Sequence, residues 1–109
     1  MDESNVRDPV LQDFLARIGP VRSRVDRLIL FGSRARGTQR LDSDYDLLLV
    51  VPTKDDLLLD CLYEAVMDVL LAHGRLVSLK VLVRAEFERL KDLGTPFMRH
   101  VIEEGIPVG

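Results

Sequence analysis

Residues 44–52 read DYDLLLVVP, two aspartates leading straight into an apolar run that a proline stops. The run has strand length and composition, and proline cannot donate to a ladder, so a strand is predicted over Ser43–Val51. An apolar strand needs neighbouring strands and a cover of helices. The rest of the chain offers both. Asp8-Pro9 reads as an N-cap with proline at the first helical position, followed by Val10, Leu11, Phe14, Leu15 and Ile18 at helical spacing. Gly19-Pro20 stops that helix. Val25–Phe31 (VDRLILF) reads as a strand and Gly32–Arg40 as turn and loop. Thr53–His73 is predicted to be a long core-facing helix, with Thr53 as cap, a stripe through Leu58, Leu62, Ala65, Val66, Val69 and Leu70, and a stop at Gly74. Arg75–Val83 reads as a third strand, Ala85–Asp92 as a short helix closed by Gly94, and Pro96–Glu104 as a last helix ended by Gly105. The order α-β-β-α-β-α-α predicts an α+β fold in which helices cover a small sheet.

At 109 residues the chain is read as one domain, residues 1–109, with 1–7 flexible. A net charge of −3, with no basic patch beyond Arg34, Arg36 and Arg40, argues against nucleic acid as a partner. The acidic start MDESNVRDP is no signal peptide, and no apolar run approaches the ~20 residues of a membrane span. One cysteine, Cys61, allows no internal disulfide. Its leucine neighbours place it in a helix core, and a reducing, cytoplasmic setting is expected. His73 reads as a cap for helix-end carbonyls, and no His/Cys cluster suggests zinc. Tyr45 and Tyr63 read as packing residues, and Phe87, Leu90, Phe97, Met98, Val101 and Ile102 as core or interface. Leu57, Leu58 and Leu59 are more apolar surface than one helix face needs, which suggests a homodimer or a partner contact.

Asp44 and Asp46 are two apart on a strand and so share a face. At ~6 Å and an effective dielectric of ~20, two carboxylates repel by roughly 3 kcal/mol, or about two pKa units. A cation between them removes that cost. Magnesium suits the pair, because it takes one or two carboxylates together with substrate phosphates. The other reading is that the two aspartates are simply solvated, or paired with Arg34, Arg36 or Arg40. Upstream, Gly32 and Ser33 follow a strand directly. A glycine there permits a tight turn and close backbone approach, and the following N–H groups and the Ser33 hydroxyl can bind phosphate. The segment is not a P-loop, since it lacks G-K-[ST].

LFGSRARGTQRLDSDYDLLLV, about a fifth of the chain, resembles the signature of the DNA polymerase β-like nucleotidyltransferase superfamily. The likeness is greatest to its minimal prokaryotic members. It lies in G-S-x-A-x-G, in S-D-x-D-L, and in the ten residues, 34 to 43, between Ser33 and Asp44. The resemblance implies the nucleotidyltransferase fold with a small mixed sheet. It also implies transfer of a nucleoside monophosphate, AMP from ATP by default, to an acceptor hydroxyl. Carried over, Asp44 and Asp46 are catalytic ligands of two magnesium ions, and Gly32 and Ser33 hold the β- and γ-phosphates. Arg36 either neutralises phosphate charge or is a surface arginine paired with Asp42 or Asp44. Minimal members often pair with a helical HEPN-domain protein in toxin–antitoxin modules, where some act as antitoxin by adenylylating the toxin.

One departure stands out. Active members carry a third carboxylate on the next core strand, where this chain reads Val77-Ser78-Leu79-Lys80. Alternation puts Ser78 and Lys80 on one face, with Ser78 at the expected acid position. Serine is a poor base, and Lys80 would compete with a cation or touch a phosphate. Three expectations follow: catalysis with two carboxylates, an acid supplied by Glu86 or Glu88, or a catalytically impaired module that acts by binding a partner.

Overall fold

The chain enters its first helix, α1 (Pro9–Arg17), through Asp8, whose Oδ1 accepts from the N–H groups of Val10 (2.8 Å) and Leu11 (3.3 Å). This is the expected cap. The structure, a computed structural model, describes residues 8–37 and 44–108. A 3₁₀ segment (Gly19–Arg24) links α1 to β1 (Arg27–Phe31), where Gly19-Pro20 was expected only to stop the helix. Within the expected loop lies a one-turn helix, α2 (Ser33–Arg36), closed by Gly37 in the left-handed region. Then come β2 (Tyr45–Val51), α3 (Asp56–His73) and β3 (Val77–Val83). Helices α4 (Arg84–Leu93) and α5 (Pro96–Glu104) follow, and a two-residue strand β4 (Ile106–Pro107) that the sequence pattern did not predict.

Two expected caps are corrected. The α3 cap is Asp55, which accepts from Leu58 N–H at 2.8 Å, and not Thr53. His73 does not cap its own helix: its Nε2 meets Asp13 Oδ2 on α1 at 2.9 Å, while Gly74 N–H donates to Leu70 O. That bond, and the weaker help of Arg17, hold the Asp13 carboxyl below its ordinary value.

The sheet order is β3-β2-β1-β4. β2 runs antiparallel to β1 and parallel to β3, the parallel pair being joined by α3, so the sheet is mixed. Strand alternation divides the core in two. On the back face, Leu28, Leu30, Tyr45, Leu47, Leu49, Val51, Val77 and Val81 are buried with residues of α1 and α3. On the front face, Leu48 and Val50 are buried against Phe87 of α4 and Met98 and Val101 of α5. The front face continues past this second core to Asp46 and Ser78, at the end of the sheet where β2 and β3 begin.

Candidate active site

Asp46 sits on the interior strand β2, opposite Phe31 of β1 on one side and Ser78 of β3 on the other. Asp44 stands exposed just before the strand. Gly32 follows β1 at φ 77°, ψ −157°, a conformation open in practice to glycine alone. A Cβ built there would collide with Asp46 Oδ2. Backbone and carboxylate therefore lie in contact, and the absence of a side chain at position 32 allows it. Ser33 then opens α2 at the same spot.

The charge balance matches the sequence argument in direction. Burial first, and the charge of Asp44 second, push the Asp46 carboxyl above the ordinary carboxylate range. Lys80 and Arg36 pull it part of the way back. Lys80 lies on the same face as Ser78, two residues along, with Nζ 5.7 Å from the Phe97 ring centre. Phe97 meets Phe31 edge-on, with ring centres 5.4 Å apart. This aromatic wall was missed in sequence. Only the register that lays Phe31 beside Asp46 assigns it to the site.

The arginines separate. Arg36 pairs with Glu104 of α5 at 3.1 Å, a partner the sequence did not suggest, and remains close enough to bias Asp46. Arg34 is buried, its guanidinium 3.7 Å from the centre of the Tyr45 ring on the back face. Tyr45 O–H donates to Asp8 Oδ2 at 2.7 Å, and burial, aided by that bond, pushes the phenol up to about 12. Tyr45 is thus a packing residue, whereas Tyr63, expected to be one, is exposed. Arg40 and Asp42 lie outside the described residues.

Glu86 and Glu88, expected as one source of a third acid, do not lie near Asp46. They follow the far end of β3, roughly 17 Å or more along the strand from Ser78, and pair with Arg89 and Lys91. Among the described residues no three His, Cys, Asp or Glu side chains gather into a metal site. Two carboxylates and a nearby hydroxyl are a hard-oxygen set that suits magnesium completed by phosphate oxygens. The raised Asp46 carboxyl, crowded against Gly32 and Asp44, is a position where a cation relieves repulsion.

A mixed four-stranded sheet with helices on both faces thus carries, at one end, Asp46 against the Gly32 turn and Asp44 just before the strand. The nucleotidyltransferase domain family model matches residues 10–108, and the chain belongs to that family. A Methanocaldococcus jannaschii protein named as a candidate protein adenylyltransferase is 36% identical over 84 residues, 77% of this chain and 78% of that protein. A crystal structure of a candidate nucleotidyltransferase from Sulfolobus solfataricus is similar over 96% of this chain and 82% of its own, with TM-score 0.56 and 20% identity. A toxin–antitoxin crystal structure with AMP-PNP is similar over 93% of this chain and 71% of its own, with TM-score 0.54 and 19% identity. The α+β nucleotidyltransferase fold expected from the sequence is the fold observed, and the domain is a transferase of this kind.

Proposed function

We propose that the domain moves AMP from ATP to a hydroxyl on a partner protein, in a magnesium-dependent reaction centred on Asp44 and Asp46. The observation that carries this reading is the contact between Asp46 and the Gly32 backbone, which joins a candidate phosphate cradle to a candidate metal ligand. Asp44 and Asp46 would hold the magnesium; when bound, it neutralises triphosphate charge and makes the α-phosphorus more electrophilic. The Gly32 turn brings backbone close to the phosphates, and the Ser33 hydroxyl donates to a phosphate oxygen. Arg36 adds positive charge once it turns from Glu104. The acceptor oxygen bonds to the α-phosphorus as the α–β anhydride breaks, pyrophosphate leaves, and the acceptor proton passes to solvent. Ser78 can hydrogen-bond the acceptor but is a weak base, so this last step is the slow one. The name of the archaeal relative supports AMP as the group moved, and the toxin–antitoxin structure with AMP-PNP supports an ATP-like donor and a protein partner. A helical toxin of the HEPN type is the partner in this reading, and the domain its antitoxin.

The register that sets Ser78 opposite Asp46, with Lys80 on the same face, favours a second reading: an impaired transferase that acts by binding its partner. ATP titration with and without magnesium, followed by an assay of labelled AMP transfer to a co-purified partner, separates the two. The first reading expects magnesium-dependent binding and transfer, both lost in Asp44→Ala/Asp46→Ala. Binding without transfer leaves the second, and no ATP binding removes both nucleotide roles.

A further inference from the structure

Helix α3 buries one apolar face and exposes further large apolar side chains among acids on the other. Leu58, Leu62, Ala65, Val66 and Val69 are buried against the back of the sheet. On the opposite side Leu57, Tyr63, Met67 and Leu71 stand exposed at 74, 48, 52 and 80%. Tyr63, Met67 and Leu71 follow one another at four-residue spacing over about 12 Å of helix, enough for a short partner helix to pack along them, while Leu57 stands apart beyond Asp60 and Glu64. Isolated surface leucines need no explanation, but three large apolar side chains in a row do.

The charges on that face choose the occupant. Asp56, Asp60 and Glu64 are exposed among the apolar residues, and α3 carries no lysine or arginine. A second copy of α3 laid on the stripe would set acid against acid, which disfavours the homodimer considered from sequence. An amphipathic helix with basic flanks meets both the leucines and the carboxylates.

We infer that the outer face of α3 is a docking surface for a basic amphipathic helix of a partner protein. The inference stands apart from the transfer chemistry. α3 covers the back of the sheet, while Asp46 and Ser78 are on the front. The helix nevertheless leads through Gly74 into β3, whose first residue pairs with Tyr45, so the Leu71 end of the stripe lies at the same end of the sheet as Asp44. A partner held there leaves the candidate active site open.

The test uses the full chain and two peptides of about 14 residues, each with leucines at helical spacing, one flanked by lysine and one by glutamate. Calorimetry is expected to show micromolar binding of the lysine peptide, weakened by salt, and none of the glutamate peptide. Met67→Arg/Leu71→Arg should weaken binding about tenfold or more while circular dichroism is unchanged. Failure of the lysine peptide to bind, or equal binding to the double variant, overturns the inference. So does sedimentation showing a dimer of the chain that the double variant dissolves.

Discussion

Front and back of the sheet are built from the same strands, yet they differ in kind. The back is apolar from Tyr45 to Val51, sealed by two helices, and the one buried charge among the described residues, Arg34, is stacked there on an aromatic ring. The front is apolar at Leu48, Val50, Ile29, Phe31 and Leu82 and turns polar at Asp46, Ser78 and Lys80. A strand shows its two sides alternately, so one sequence can serve packing on one side and chemistry on the other. The lesson is that stability and activity should separate by residue parity along β2.

The sharpest way to break that comparison is Asp44→Ala/Asp46→Ala. Transfer should fall about a thousandfold, near 4 kcal/mol of transition-state stabilisation, with the melting temperature held or raised because a repulsive pair is gone. Leu49→Ala, on the back of the same strand, should do the reverse. It should cost about 3 kcal/mol and lower Tm by roughly 12–24 °C, whereas Lys80→Ala on the front changes stability by less than ~1 kcal/mol. Equal costs for the two would defeat the comparison.

Ser78→Asp sharpens it from the other side. An acid opposite Asp46 should raise the transfer rate by about a hundredfold, read in a single-turnover assay at saturating ATP. The same variant should lower apparent stability in the absence of magnesium, since a third carboxylate joins two. The smallest effect is expected from Tyr45→Phe, which loses the bond to Asp8 and about 1 kcal/mol, seen in urea unfolding. Its pH signature has a definite sign. The folded phenol is raised from 10.0 to about 12, so its contribution is complete below pH 10 and lost as pH rises through 12. The alkaline loss of stability between those values should shrink in the variant.

Much of this was legible because the chain is heavily punctuated. Gly74, Gly94 and Gly105 end their helices as read, and Pro96 opens α5 where expected. Alternation correctly placed Ser78 and Lys80 on one face. What sequence could not give depends on distant partners. Two residues, Ile106 and Pro107, have no period of their own and become a strand only by pairing with Ile29 and Leu30. Ser33–Arg36 is too short for a helical pattern and is fixed between Gly32 and Gly37. His73 looks like a cap until α1 brings Asp13 to it. Glu86 looks near the site when counted along the chain, but the length of β3 carries it to the other end.

Tyr45 has a use that its packing role does not announce. The chain has no tryptophan and only two tyrosines, and the other, Tyr63, is exposed. Tyr45 is bonded in sequence to both Asp44 and Asp46, while Arg34 lies over its ring and its hydroxyl donates to the Asp8 carboxylate. Its near-ultraviolet dichroism is therefore a label already installed behind the candidate site, able to register a shift of the strand on the far side without any probe being added.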